Sequence, residues 1–262
     1  MLQTLRDSIF KYAPKARILT GLASYQIFEP GEAPSHTARS TAEPGYYIDF
    51  FNSAWWIDSL NSEYYHKSKL VPGSEIIPFS FLLKPLESLA LNLGGTTGSL
   101  GTQKNRAVFK SKGSKIIAAP IICYESIYSD YVRDYTQLGA NIFCIITNDG
   151  WWENTPGYKQ HLRYAQLRAI ENHRCIVRSA NTGISAFIYP DGHIEQRTSW
   201  WNTQVISTLL PLYENRTLYA QTGDWIGKSS LLTSVLLMLF ELLKWLYRII
   251  KKIAFRISNK EF

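Results

Sequence analysis

The strongest constraint on the fold is a short apolar run that ends at a cysteine. Ile116–Ile122 carries no charge, and it is long enough for one buried strand but too short for a typical helix. Cys123 follows it directly. Ligands bind and nucleophiles are exposed where strands of open α/β sheets end, so Cys123 is the candidate reactive group. The competing interpretation is an inert thiol that packs as a small hydrophobe.

Two further segments place polar and aromatic residues near this cysteine. Asn141–Thr147 is a second apolar run of strand length, and Asn-Asp-Gly-Trp-Trp follows it at residues 148–152. The segment Lys159–His173 predicts an amphipathic helix. Upstream, the polar segment Tyr64–Glu75 is interpreted as a loop whose lysines can bring an ammonium group to the thiol. Two strands therefore end in polar and aromatic loops on one edge of a sheet.

The rest of the main body has the pattern of strands separated by loops rich in glycine, proline and small polar residues. We predict strands in Arg17–Phe28 and Tyr46–Ile57, and a pair of hairpins that contains Cys175–Ser179 and Ile184–Tyr189. Pro78–Leu93 is predicted to begin as a loop and continue as a helix or lid. These elements predict an α/β fold.

The cysteines and histidines do not predict a disulfide framework or a metal site. Three cysteines are too few for a disulfide scaffold, and Cys144 and Cys175 lie in apolar runs where packing is the expected role. His161 and His173 are twelve residues apart and have no partner cysteine or aspartate motif. We therefore predict that no metal is bound.

The net charge of +7 raises the question of nucleic acid binding. The basic residues of the main body do not form a stripe interleaved with aromatic residues, so no nucleic acid partner is predicted. They concentrate instead after a run of leucines, as expected beside an anionic membrane surface. These C-terminal cations are Lys244, Arg248, Lys251, Lys252, Arg256 and Lys260.

The C-terminal segment is the candidate membrane contact. Leu231–Phe240 has no charge, and Glu241 and Lys244 then interrupt the apolar run. We favour a membrane span over roughly Trp225–Trp245 with its basic end in the cytoplasm, because cytoplasmic flanks carry an excess of Lys and Arg. The alternative is a helix that lies on the membrane surface.

Five ordered motifs resemble the nitrilase superfamily, and most closely its membrane-bound apolipoprotein N-acyltransferase branch. The resemblance extends from about Lys15 onward, and a late motif precedes the C-terminal hydrophobic helix as in that branch. The motifs are Tyr65-x-Lys67-x-x-Leu70-Val71-Pro72 with Glu75, Ile122-Cys123-Tyr124-Glu125, Thr147-Asn148-Asp149-Gly150-Trp151, Arg178-Ser179-Ala180-Asn181-Thr182-Gly183-Ile184-Ser185 and Tyr219-Ala220-Gln221-Thr222-Gly223-Asp224-Trp225.

The resemblance implies a nitrilase-like α-β-β-α sandwich, N-terminally incomplete, over residues 1–222. A C-terminal hydrophobic helix with a basic tail would occupy residues 223–262. It also implies an enzyme without a cofactor, located in the bacterial inner membrane with its catalytic domain facing the periplasm.

The implied reaction is transfer of an acyl chain. Cys123 would take the acyl chain from a phospholipid as a thioester and pass it to the N-terminal amine of a diacylglyceryl-cysteine lipoprotein. Lys67, together with the backbone N–H of Tyr124, would stabilise the oxyanion. Glu75 and Glu125 would orient Lys67 and the acyl-transfer site.

Trp151 and Tyr124 would shape the acyl pocket. The family's general base is a glutamate in a Pro-Glu-Thr-like turn upstream of Lys15, and no glutamate of this sequence lies in such a turn. The resemblance therefore implies a fragment, or one half of a split enzyme that works with a separate N-terminal half. Two alternatives remain open: a soluble nitrilase-like amidase, and a catalytically inactive, membrane-tethered binding domain.

Overall fold

The structure is a computed structural model that describes residues 2–76 and 99–258. The chain forms two compact units, one that extends to Ala220 and one that begins at Gln221. The helix or lid predicted in Pro78–Leu93 lies outside the described residues.

The described parts of the chain contain ten strands and five α-helices, and two short 3₁₀ helices follow strands β6 and β7. The strands are β1 (Ile18–Phe28), β2 (Arg39–Ser40), β3 (Tyr47–Ile57), β4 (Ser62–His66), β5 (Phe109–Lys110), β6 (Ile117–Ile122), β7 (Ile142–Thr147), β8 (Cys175–Ala180), β9 (Ala186–Ile188) and β10 (Ile194–Arg197). The helices are α1 (Leu2–Tyr12), α2 (Ser129–Gln137), α3 (Gly157–Asn172), α4 (Leu218–Thr222) and α5 (Trp225–Ser258), and the 3₁₀ helices are Cys123–Ile127 and Asp149–Trp152.

The first sheet has four antiparallel strands centred on β3. β3 pairs along its whole length with β1, from Tyr47 opposite Phe28 to Ile57 opposite Ile18, and β2 and β4 pair with its other edge. β4 corrects the prediction of a loop, because the segment from Tyr64 begins as a strand. Tyr65 is fully buried there while its neighbour Tyr64 is exposed, which is the alternation of a strand with one buried face.

The second sheet has six strands in the order β10-β9-β8-β7-β6-β5. β6, β7 and β8 are parallel, with Ile122 opposite Ile146 and Ile146 opposite Ser179. Their apolar runs are buried on both faces, as is usual for parallel strands. The carboxyl ends of these three strands therefore lie at one edge of the sheet, and Cys123 comes directly after the β6 end.

Two apolar clusters hold the first unit together as layers. One lies between the sheets, where Gly21 of β1 approaches Ile146 of β7 so closely that a Cβ at residue 21 would collide with it. This inter-sheet cluster includes Ala54, Trp56, Tyr65, Phe109, Ala118, Ile122 and Ile142. The other lies between the second sheet and helices α2 and α3, and includes Val132, Tyr135, Phe143, Leu162, Ala165, Ala169 and Ile176.

The second unit contains α5, which runs for 34 residues. Its segment Trp225–Lys252 is long and apolar enough to cross a membrane by length and composition, with a mean hydropathy of 1.6. The charges that interrupt the apolar run pair with each other, because Lys244 Nζ donates to Glu241 Oε1 at 2.8 Å. The predicted span Trp225–Trp245 falls inside this helix, and spanning remains a prediction.

Candidate active site

Cys123 occupies a strained position at the turn from β6 into the first 3₁₀ helix. Its φ is 50°, in the left-handed region, which non-glycine residues adopt at a cost of about 1–3 kcal/mol and keep only where the surroundings impose it. Its carbonyl oxygen accepts a hydrogen bond from Ser126 Oγ at 2.7 Å. The residue is partly exposed, so a strained backbone presents the thiol to solvent.

Lys67 follows β4 directly and is buried, with 1% of its surface exposed. Its ammonium donates to both carboxylate oxygens of Glu75, at 2.8 and 2.7 Å. Glu75 also accepts from Asn52 Nδ2 at 2.5 Å and from the backbone N–H of Val71 at 2.7 Å. A buried charge is stable only when it is paired and hydrogen-bonded. The carboxylate of Glu75 provides both for the buried ammonium of Lys67. Lys67 is therefore a fixed, paired cation.

Glu125 is fully buried and belongs to a different network. Its carboxylate accepts from the hydroxyls of Tyr65 and Tyr131 at 2.7 and 2.9 Å, and from the backbone N–H of Ser68 at 2.7 Å. Burial raises the pKa of Glu125, although these hydrogen bonds oppose the rise. Glu125 thus fixes the backbone next to Lys67, whereas the lysine ammonium itself is held by Glu75.

Two cavities meet at Cys123. One, of about 540 Å³, is largely apolar and aromatic, and its walls include Tyr124, Ile127, Trp151, Trp152 and Tyr164. The other, of about 530 Å³, is the more polar of the two, and its walls include Thr20, Asn52, Lys67, Thr147 and Asn181. Both are lined by Glu75, Cys123, Asn148 and Trp151. The thiol therefore lies between an aromatic space and a polar one.

A buried ionic network lies beside Cys123, and the sequence did not predict it. Arg178 Nη2 donates to Asp149 Oδ2 at 2.7 Å, and His161 Nδ1 lies 2.8 Å from Asp149 Oδ1. Burial alone would raise the pKa of Asp149, but the hydrogen bond with His161 and the charge of Arg178 outweigh it and lower this pKa. Gly183 packs so closely against the Asp149 carboxylate that any side chain there would collide with it.

The other two cysteines differ from Cys123 in environment. Burial raises the pKa of Cys144 to about 12 and that of Cys175 to about 11. Both thiols therefore stay protonated at neutral pH and are poor nucleophiles, since the thiolate is the reactive form. Within residues 2–76 and 99–258, no group of three residues with metal-ligating side chains is present.

The structure brings the six sequence-predicted site residues to this region, and five of them line a cavity. Glu75, Cys123, Tyr124 and Trp151 line the aromatic cavity, and Lys67 lines the polar one. Glu125 is among neither set of lining residues and reaches the site through the backbone of Ser68. Asn52, Asp149, His161 and Arg178 were missed, although Asp149 lies two residues after the end of β7, where an acidic residue is a useful signal.

The site thus consists of a partly exposed cysteine on an α/β sandwich and a buried lysine that is paired with a partly buried glutamate. The chain belongs to the carbon-nitrogen hydrolase family, whose profile matches residues 35–218. This match confirms the predicted resemblance and the nitrilase-like fold class. The same fold is seen in an amidase from Nesterenkonia sp. AN1, with a TM-score of 0.51 and 15% sequence identity over 87% of this chain and 75% of that one.

Comparison with curated relatives indicates which members of this family the chain resembles in sequence. The chain is 35% identical to the apolipoprotein N-acyltransferase of Chlorobaculum tepidum over 164 residues, which are 62% of this chain and 31% of that protein. It is 36% identical to the apolipoprotein N-acyltransferase of Rhizobium meliloti over 200 residues, 75% of this chain and 36% of that protein. The chain thus spans about a third of the length of these relatives.

Proposed function

We propose that this chain carries the acyl-transfer site of an apolipoprotein N-acyltransferase. The acyl donor is a membrane phospholipid, and the acceptor is the N-terminal amine of a diacylglyceryl-cysteine lipoprotein. The observation that carries the proposal is the position of Cys123, between an aromatic cavity and a polar cavity that contains Lys67. The named relatives support the choice of acyl transfer.

The first half-reaction loads the enzyme. The Cys123 thiolate attacks the ester carbonyl carbon of the phospholipid, and a carbon–sulfur bond forms. The ester carbon–oxygen bond then breaks, and the departing oxygen takes up a proton to give a lysophospholipid. An acyl thioester on Cys123 remains, with its chain in the aromatic cavity lined by Tyr124 and Trp151.

The second half-reaction releases the product. The lipoprotein α-amine attacks the thioester carbonyl carbon, a carbon–nitrogen bond forms, the carbon–sulfur bond breaks, and the amine loses one proton. In both steps negative charge develops on the carbonyl oxygen. Lys67 offers a fixed positive charge, and Tyr124 lies in the first turn of a 3₁₀ helix, where backbone N–H groups lack intrahelical partners. Donors that are already in place stabilise such a charge most effectively.

The second unit provides the membrane contact in this proposal. We propose that Trp225–Lys252 crosses the bacterial inner membrane with its basic end in the cytoplasm, so that the first unit faces the periplasm. The length and hydropathy of α5 support the crossing, and the cluster of C-terminal cations supports the orientation.

The proposal needs a base for the thiol. Among the described residues that line the two cavities, Glu75 is the carboxylate, and it is committed to Lys67, Asn52 and Val71. We therefore propose that a glutamate of a separate N-terminal half deprotonates Cys123. Adding that half should raise the rate of thioester formation at pH 7 by about 10²- to 10⁴-fold.

The matched control is the same N-terminal half with its Pro-Glu-Thr glutamate changed to glutamine. With this control, the rate of thioester formation should stay at that of the chain alone. Single-turnover formation of the thioester, followed by intact-protein mass spectrometry, measures both rates. A chain that reaches the full rate alone would contradict the proposed source of the base.

The central test is formation of the acyl thioester. Incubated with phospholipid in detergent micelles, together with the N-terminal half, the chain should gain the mass of one acyl group, and hydroxylamine should remove it. Cys123→Ala should abolish this adduct, because no other described thiol lines either cavity. Cys144→Ala is the matched control and should keep it.

Two other outcomes would each favour one of the alternatives. Turnover of small amides without an adduct from phospholipid would indicate an amidase. Reaction of Cys123 with iodoacetamide no faster than that of a free cysteine, again without an adduct, would indicate a binding domain. An acyl adduct that persists in Cys123→Ala would refute the assignment of the nucleophile.

A further inference from the structure

A carboxylate, an imidazole and a hydroxyl form a buried chain of hydrogen bonds that ends at the backbone of Cys123. Asp149 Oδ1 lies 2.8 Å from His161 Nδ1, and His161 Nε2 lies 2.8 Å from Ser126 Oγ. Asp149 and Ser126 are fully buried, and His161 is 5% exposed. The three residues come from three separate elements, the second 3₁₀ helix, α3 and the first 3₁₀ helix.

The acceptor at the end of this chain is the carbonyl oxygen of Cys123. Ser126 Oγ donates to it at 2.7 Å, and His161 Nε2 lies 3.2 Å from the same atom. Because Ser126 is fully buried, its hydroxyl is not available to a substrate as a second nucleophile. These contacts hold the main chain of Cys123 rather than its sulfur.

The conformation of Cys123 explains why such a hold matters. With φ at 50°, the residue lies in a region that costs about 1–3 kcal/mol and persists only where surrounding contacts impose it. An ionised Asp149 only accepts hydrogen bonds, so it fixes the orientation of the His161 ring and directs Nε2 towards Ser126 and Cys123. Rotation of the Cys123 peptide would move the sulfur relative to both cavities.

We infer that His161 is a positioning residue for the nucleophile: held by Asp149, it fixes the backbone of Cys123 through Ser126 and the Cys123 carbonyl oxygen. The inference rests on the proposed role of Cys123 as the acylated residue. Misplacing a reacting atom by about 1 Å can slow a reaction about 100-fold. Loss of these hydrogen bonds should therefore raise the free-energy barrier to acylation by more than it lowers the free energy of unfolding.

Two variants of His161 separate the two ends of the imidazole. In His161→Asn the amide group occupies the region of Nδ1 and can keep the contact with Asp149. In His161→Gln the amide reaches the region of Nε2 and can keep the contacts with Ser126 and the Cys123 carbonyl. The exposed His193, whose imidazole lies 3.6 Å from Glu195, gives the control His193→Asn.

The probe is p-nitrophenyl butyrate at pH 9, added to the full chain in detergent. Free thiols are largely ionised at this pH without a base. The thiolate attacks the ester carbonyl carbon, the bond to the phenolic oxygen breaks, and nitrophenolate leaves with the electron pair. The burst of nitrophenolate reports acylation of Cys123 independently of any phospholipid, and alkylation by iodoacetamide reports access to the thiolate.

We expect His161→Asn to slow the burst about 10- to 100-fold while alkylation stays within about 3-fold of wild type. His161→Gln should stay within about 5-fold of wild type in both reactions, and His193→Asn should not change either. Ser126→Ala removes the hydroxyl that donates to the Cys123 carbonyl and should slow the burst about 3- to 10-fold.

Equal bursts in all chains would overturn the inference. So would equal losses in His161→Asn and His161→Gln that follow equal losses in thermal stability, because they indicate packing alone. If the bursts follow the expected order but phospholipid yields no thioester, the positioning role stands and the proposed function fails. A wild-type chain without any burst contradicts both.

Discussion

Lys67→Met should slow the acylation of Cys123 by phospholipid about 100- to 1,000-fold, the usual loss when one preorganised donor to an oxyanion is removed. Methionine has a similar length and no charge, so the polar cavity keeps its shape but loses its cation. Glu75 keeps its hydrogen bonds from Asn52 and Val71, which limits the structural cost of the change. Single-turnover thioester formation in the presence of the N-terminal half measures the rate.

Lys69→Met is the matched control, since Lys69 lies two residues further on, is exposed and has its ammonium 5.7 Å from the centre of the Tyr128 ring. It should leave the rate within about 2-fold of wild type. Glu75→Gln is a second variant, which keeps the lysine but removes its counter-charge, and it should also slow acylation. Equal losses in Lys67→Met and Lys69→Met, or a normal rate in Lys67→Met, would contradict the role of Lys67.

The sequence predicted the strands that carry the nucleophile because their signal is local. Ile116–Ile122 was predicted and Ile117–Ile122 is observed, and the helix predicted at Lys159–His173 runs over Gly157–Asn172. A continuous apolar run can be buried only as a central strand here, and its end places Cys123 at the sheet edge. The position of the thiol was therefore predictable.

The partners of the site could not be predicted in the same way, because they depend on contacts between distant elements. The polarity of Tyr64–Glu75 predicts a loop, and only the pairing of β4 with β3 and the burial of Tyr65 show that this segment begins as a strand. The burial of Lys67 depends on Glu75 and Asn52, which reach it from a loop and from β3. A single sequence does not show which polar residues converge in this way.

The same limit applies to Arg178, which the sequence presents only as one member of a motif that begins in β8. In the structure its side chain and that of Asp149 are both fully buried, with 2.7 Å between Nη2 and Oδ2. Within the described residues, its Nε and Nη1 atoms are buried without a hydrogen-bond partner. Desolvation of a cation with only part of its donors satisfied is costly, so the pair with Asp149 is its main compensation.

Arg178→Met should therefore destabilise the first unit by about 3–5 kcal/mol, the usual cost when one partner of a buried ion pair is removed. For a unit of this size that loss corresponds to a fall of about 6–20 °C in the midpoint of thermal unfolding. Circular dichroism of the full chain in detergent measures this midpoint. Arg163→Met is the control, because Arg163 is exposed and donates to Gln166, and it should change stability by less than about 0.5 kcal/mol.

The pH dependence of this effect has a definite sign. In the wild type the pKa of Asp149 is lowered from 3.8, so its contribution to stability is present above about that pH and is lost as the pH falls below it. Without Arg178, burial favours the protonated carboxyl, and acidification from pH 7 to pH 5 should reduce the penalty of Arg178→Met. In the double variant Arg178→Met with Asp149→Asn, the buried carboxylate charge is absent at every pH. It should therefore be at least about 1 kcal/mol more stable than Arg178→Met at pH 7, and equal stabilities of these two chains would show that the lost arginine acts through packing rather than charge.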